Sequence, residues 1–324
     1  MNSTRRAALV ALAGAALCAT GAHGQAYPSQ PIRVLHGFAP GGNADTVARL
    51  LAAELGKPLG TTLFVESKPG AGGTLASDLV AKAKPDGYTL LLATGGHAIS
   101  AAMYNKLPFD AVKSFQPVAA VSTFPFLIVV NAQGKLRSLK DLLAAAGAQP
   151  GAVNYGSAGI GTGQHLTGAL LEQMAHLPMT HIPYKGESAA VTAVLGEEVD
   201  FIIVAPTAVV SHIKAGKLRA LATSGSARWP GLPEVPTVAE QGVPHFDVRS
   251  WTALLAPAGT PAAVVQRLSA EVNAVLARPD VRTRLEEATG GEASIATPEE
   301  LRARIDSDVK RWMQLVADAR ISKE

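Results

Sequence analysis

One local pattern occurs twice in this chain and limits what it can fold into: an apolar strand, a glycine-rich loop, then an amphipathic helix. The first copy runs from the strand Ile32-Arg33-Val34-Leu35-His36-Gly37-Phe38 through Ala39-Pro40-Gly41-Gly42-Asn43-Ala44-Asp45 into a helix expected from about Thr46. The second runs from Val153-Asn154-Tyr155-Gly156-Ser157 through Ala158-Gly159-Ile160-Gly161-Thr162-Gly163 into a helix expected from about Gln164. Glycine lets a ligand approach the main chain, and the first turn of a helix offers unpaired N–H groups and partial positive charge. Each copy is therefore a candidate anion site. Roughly 120 residues separate them, enough to place them in different lobes, where they could close on a small molecule carrying one or two carboxylates.

Both helices carry an apolar stripe, with Val47, Leu50, Leu51 and Leu55 in the first and Leu166, Ala169, Leu170, Met174 and Leu177 in the second. Asn43 or Asp45 is a candidate cap for the first helix and Thr162 for the second, each able to accept an orphan N–H. Apolar strand-like runs at 88–93, 126–130, 199–204 and 218–223 alternate with helical patterns at 76–83, 139–146 and 189–195. Such alternation predicts an α/β fold with parallel sheets and helical crossovers, and ligands on such sheets sit at the carboxyl ends of the strands. A third strand-end loop, Thr94-Gly95-Gly96-His97, could line the same cleft. Toward the C-terminus, Thr260-Pro261 opens one helix and the capping box Thr297-Pro298-Glu299-Glu300 another, whose core stripe includes Trp312.

Residues 1–26 read as a secretory signal peptide: Arg5 and Arg6, a short apolar stretch, then small residues. The single cysteine, Cys18, lies inside this segment, so a processed chain has no thiol chemistry, disulfide or cysteine metal site. The formal charge of +3 is partly a leader effect, since taking Arg5 and Arg6 away from 29 basic residues leaves 27 against 26 acidic ones. No basic run remains to suggest nucleic acid. About 300 processed residues exceed what one core usually holds, which predicts two lobes.

Several chemistries are excluded by the motifs that fail. Tyr155-Gly156-Ser157-Ala158-Gly159 lacks the leading glycine of a nucleophile elbow. Gly159-Ile160-Gly161-Thr162-Gly163 ends one residue early for a dinucleotide loop, and His181-Ile182-Pro183-Tyr184 stands where an acidic residue would be needed. The histidines show no metal-ligand spacing, and none has a carboxylate at motif distance. No cofactor and no metal are expected. His97 and His165 sit just after candidate loops, where a ring N–H could meet a carboxylate. Lys185 ends another strand and is either a cleft cation or a solvated lysine.

Taken together, the motifs resemble the extracytoplasmic solute receptors of the tripartite tricarboxylate transporter family, also called Bug receptors. The landmarks are Tyr-Pro-Ser-Gln-Pro-Ile-Arg at 27–33, Phe-Ala-Pro-Gly-Gly-Asn-Ala-Asp at 38–45, Lys-Pro-Gly-Ala-Gly-Gly at 68–73 and Pro-Asp-Gly-Tyr-Thr-Leu-Leu at 85–91. They continue with Tyr-Gly-Ser-Ala-Gly-Ile-Gly-Thr-Gly-Gln-His at 155–165, Pro-Tyr-Lys-Gly at 183–186, His-Ile-Lys-Ala-Gly-Lys-Leu-Arg-Ala-Leu-Ala at 212–222 and Pro-Ala-Gly-Thr-Pro at 257–261.

The resemblance implies a two-lobed periplasmic-binding-protein-like (type II) fold with a ligand cleft between lobes. It also implies capture of a small carboxylate for a membrane permease, with no enzymatic activity. Lobe 1 would comprise 27–125 plus 251–324, and lobe 2 would comprise 126–250. Carried over by position, Phe38, Ala39, Gly41, Gly42, Asp45 and Thr94 would form the site in one lobe. Ser157, Gly159, Thr162, Gly163 and His165 would face them from the other. Asp45 is expected to order the helix start or hold a bridging water, because it would repel an anion. Val204-Ala205-Pro206 stands where many relatives carry a polar residue, often aspartate, so Val204 predicts a ligand without an ammonium group. The alternatives are an extracytoplasmic sensor for a membrane kinase, or an enzyme acting on a carboxylated substrate.

Overall fold

The computed structural model describes residues 27–323, so the expected leader at 1–26 lies outside the described residues. In the first of two sheets, β1 (Ile32–His36) lies between β2 (Leu63–Ser67) and β3 (Thr89–Thr94), parallel to both. Beyond β3 come β10 (Arg249–Pro257), β4 (Phe115–Pro125) and the short β11 (Glu292–Ala293), each antiparallel to its neighbour. The second sheet is ordered β7 (Thr180–Pro183), β6 (Asn154–Ser157), β8 (Phe201–Val204), β5 (Leu127–Asn131), β9 (Leu218–Thr223). There β6 is parallel to β7 and β8, whereas β5 opposes both β8 and β9.

The sheets are therefore mixed rather than parallel throughout, and the reason is topological. Their carboxyl edges face one another, and the chain crosses between them twice, from β4 to β5 with only Phe126 intervening and from β9 to β10. A strand that leaves one carboxyl edge must enter the opposite sheet at its carboxyl edge, and so must run against the strands already there. That is the sense observed for β5 and for β10.

Side chains alternate across each strand, and the burial follows. Leu90 and Leu92 of β3 join Leu254 and Ala256 of β10 on one face, beneath α1 (Asn43–Leu59), α8 (Ala262–Ala277) and α9 (Pro279–Thr289). Leu91, Ala93, Ala253 and Leu255 face the other way, toward α2 (Thr74–Ala81), α3 (Gly96–Met103) and α10 (Pro298–Asp318). That second core continues through Phe124 and Phe126 into the other sheet, where Ile128, Tyr155 and Phe201 meet α4 (Leu139–Ala148) and α5 (Gly163–Ala175). A third core packs Val129, Ile202 and Val204 against α6 (Glu187–Leu195), with the short α7 (Val210–Lys214) nearby. Trp312 is buried in α10, and the Thr297 capping box is formed, both as the sequence predicts. No described helix is long and apolar enough to cross a membrane.

Candidate functional site

A cavity of about 130 Å3 opens between the facing carboxyl edges, lined by both glycine loops. From the first loop come Phe38, Ala39, Pro40 and Gly42, followed by Asn43 and Ala44 of α1. Helix α1 begins at Asn43, three residues before the sequence expectation, and its cap position is held by Gly42 with no side-chain bond. Its first N–H groups are thus left to whatever occupies the cavity. Asp45 does not cap the helix. Its Oδ2 instead accepts from the Gly41 N–H at 3.0 Å and from Arg49 Nε at 2.9 Å, while Oδ1 lies 3.0 Å from His36 Nε2. Burial works against the Asp45 charge, but Arg49, Gly41 and His36 outweigh it and hold the carboxyl below its ordinary range. Burial also lowers the His36 pKa despite Asp45, so the pair is a hydrogen bond between a neutral ring and a carboxylate. No histidine has a carboxylate at motif distance in the sequence, and this partnership arises because strand, loop and helix fold His36 and Asp45 together across a separation that no motif encodes.

From the second loop, Ala158, Thr162, Gly163 and Gln164 line the cavity. Thr162 caps α5 as the sequence predicts, its Oγ1 accepting from His165 N at 3.3 Å and donating to Gly159 O at 2.7 Å. Thr94 and Gly96 contribute from the end of β3, and Phe124, Phe126 and Ser250 from the crossings. Phe124 and Phe126 meet edge to face with centroids 5.8 Å apart, so the cavity joins N–H donors to an aromatic wall.

Of the residues singled out from the sequence, Phe38, Ala39, Gly42, Thr94, Thr162 and Gly163 line this cavity, whereas Gly41, Asp45, His97, Ser157, Gly159, His165 and Val204 do not. Both His97 nitrogens are engaged by protein, Nε2 with Ala111 O at 2.8 Å and Nδ1 with Ser77 Oγ at 3.2 Å, and burial depresses its pKa to about 4. The His165 ring stacks on His181 at 4.0 Å, and its Nδ1 accepts from Gly161 N. Ser157 Oγ bonds His181 Nε2 at 2.7 Å, which braces the loop from behind. Burial lowers His165 to about 4, and burial with the neighbouring His165 lowers His181 to about 3. Val204 is fully buried in the core beneath α6, and Ala205 meets the cavity instead.

A third edge of the cavity, where β7 runs into α6, holds Lys185, which the sequence offered as a cleft cation, and Gly186, Glu187 and Ser188, which pattern reading did not single out. The available signal was Gly186-Glu187, a glycine then a carboxylate at a strand end. Across the cleft, Asn43 Nδ2 donates to Thr207 Oγ1 at 3.2 Å, just after β8, and to Thr289 O at 3.3 Å at the end of α9. Among the described residues, no group of three or more His, Cys, Asp or Glu is placed to hold a metal ion.

Residues 47–321 match the family described as the tripartite tricarboxylate transporter family receptor. The chain is 35% identical to protein BugT of Bordetella pertussis over 321 residues, 98% of each chain. Among solved structures it resembles a Rhodopseudomonas palustris protein solved with adipate, with a TM-score of 0.87 and 30% identity over 92% of this chain and 100% of that one. It also resembles MatC of the same organism with bound malate, with a TM-score of 0.82 and 34% identity over 90% of this chain and 100% of that one.

Proposed function

This chain belongs to the tripartite tricarboxylate transporter receptor family, and we propose that it is a periplasmic solute-binding receptor that captures a small carboxylate and delivers it to a membrane permease without turning it over. The observation that carries this reading is the convergence of the α1 and α5 N-termini, each behind a glycine loop, on one cavity between two facing sheets. N–H groups and helix ends of this kind are suited to a carboxylate. The adipate and malate held by the two R. palustris proteins support the ligand class.

In this reading Phe38, Ala39, Gly42, Thr94, Thr162 and Gly163 contact the ligand. Gly41, Asp45, Ser157, Gly159 and His165 hold the loops that present those contacts, and His97 and Val204 support them from the cores. The lobes divide at the two chain crossings, 27–125 with 251–324 against 126–250. Closure of one lobe on the other is the signal that the permease reads, because a ligand that contacts both lobes favours the closed form. The leader-like segment at 1–26 supports export to the periplasm.

A thermal-shift screen of refolded, ligand-stripped protein against a carboxylate library tests the proposal. A bound ligand at a hundred times its Kd stabilises the fold by about 2.7 kcal/mol. A few related carboxylates raising the Tm, unconsumed afterwards, is the expected result. A library without effect, or a carboxylate that is consumed, sinks the receptor reading.

A further inference from the structure

The cavity is not uniform in its hydrogen-bonding character. Four helices begin at it, α1, α3, α5 and α6, and all four could offer N–H donors. Neither α3 nor α5 has an acidic residue in its first turn. Asp45 in α1 stands behind the cavity with both oxygens engaged by protein. Helix α6 differs, because its first residue is Glu187 and that residue lines the cavity.

The Glu187 carboxyl is fixed at one oxygen only. Oε1 accepts from Ala205 N at 2.8 Å and from Gln164 Nε2 at 2.8 Å. These donors come from the end of β8 and the first turn of α5, so two neighbouring strand-to-helix loops orient one side chain. No donor among the described residues reaches Oε2. Burial pushes the Glu187 carboxyl above its ordinary range, while the Ala205 and Gln164 N–H groups and the α6 helix end favour its charged form. As a carboxylate, the form that the mildly alkaline titration below favours, it repels a second anion placed there by a ligand.

Resting on the receptor reading above, we propose that Glu187 is a specificity-determining residue whose Oε2 receives a hydrogen-bond donor, an ammonium or hydroxyl, from a carboxylate ligand held at the opposite end by the glycine loops. The expectation of a ligand without an ammonium group rested on Val204. That side chain is in the core beneath α6, so it does not decide the matter. Lys185 lines the same cavity but is exposed, at the rim, where water screens its charge.

Calorimetric titration in neutral and mildly alkaline buffer tests the assignment. The probes are straight-chain monocarboxylates of increasing length, each compared with its ω-amino, ω-hydroxy and ω-carboxy analogue. At the best-fitting length, the amino or hydroxy acid is expected to bind about tenfold or more tighter than the unsubstituted acid, and the dicarboxylate weakest. The amino and hydroxy arms separate the two donors. Glu187→Gln keeps an oxygen for Ala205 N and Gln164 and turns an amide donor toward the ligand. It should abolish the preference for donors and raise affinity for the dicarboxylate, a reversal that loss of folding cannot produce. Tightest binding of the dicarboxylate by the wild-type chain, or an unchanged ranking in Glu187→Gln, overturns the assignment while leaving the receptor reading intact. Binding of none of the probes overturns both.

Discussion

Asp45 and His36 meet at 3.0 Å in the interior behind the first glycine loop, and the other oxygen of the same carboxylate holds the Gly41 N–H at 3.0 Å. The loop that faces the cavity is thereby tied to the strand before it and the helix after it by one buried side chain.

Replacing Asp45 with alanine leaves a buried ring nitrogen and a loop N–H without their acceptor, at a cost of about 1–3 kcal/mol. Calorimetry should also show ligand affinity falling about tenfold or more as the loop loses its anchor. Arg49→Ala is the contrast. That side chain is 58% exposed, so its ion pair with Asp45 should contribute less than about 1 kcal/mol. Equal losses in the two variants would show that the carboxylate acts through the surface pair and not through the loop.

Gly37→Ala should be among the most damaging single-methyl additions. The new Cβ would lie 2.3 Å from Gly73 Cα and 2.7 Å from Gly73 O, both main-chain atoms that no rotamer change can move. A loss of about 1–3 kcal/mol or more in chemical denaturation is expected. Gly42→Ala meets nothing nearer than Ala39 O at 3.6 Å and should cost under about 1 kcal/mol, mainly as a poorer cap. If Gly37→Ala melts with the wild type, the close approach of the two loops is not a constraint on the fold.

Much of this local architecture could be read from the sequence, and the parts that could not share a cause. The Thr162 cap, the capping box at Thr297 and the inward Trp312 depend on contacts three or four residues apart, which local spacing records. The direction of β5 and β10 depends on two carboxyl edges facing each other, a relation between segments more than a hundred residues apart. Phe124 and Phe126 look like ordinary strand residues until the crossing places them beside the cavity. Glu187 looks like a favourable charge in a first helical turn. Its bonds to Gln164 and Ala205 exist only after three strands are side by side.

Acid should unfold the protein through its neutral histidines. His97 and His165 fall to about 4 and His181 to about 3, from an ordinary value of 6.5. Above pH 6.5 the rings are neutral in both states, and their full contribution is present. As pH falls from 6.5 toward 4, the unfolded chain takes up protons that the folded chain excludes, so stability is lost. Fully buried His97 alone should account for on the order of 1 kcal/mol per pH unit in that window. Denaturation curves across the window should steepen in this sense and flatten in His97→Gln. A flat wild-type profile would contradict the buried neutral rings.

Asn43→Ala removes the bond that joins the start of α1 to Thr207 across the cleft, together with the one to Thr289 O. If closure accompanies binding, Kd should rise about fivefold or more. Small-angle scattering should then show a larger radius of gyration at subsaturating ligand than in the wild type. Unchanged affinity with unchanged scattering would mean that this bond does not contribute to the closed state.

The placement of β10 also dictates an order of assembly. All five strands of the second sheet lie within residues 127–223, so that sheet can form from one unbroken stretch of chain. The first sheet cannot, because β10, at 249–257, is the strand between β3 and β4. Until that segment arrives, β3 and β4 expose apolar edges, the condition in which chains pair wrongly or aggregate. A chain emerging N-terminus first therefore completes its second sheet before its first, and a truncation before residue 249 would leave a gap through the middle of a core rather than a shortened end.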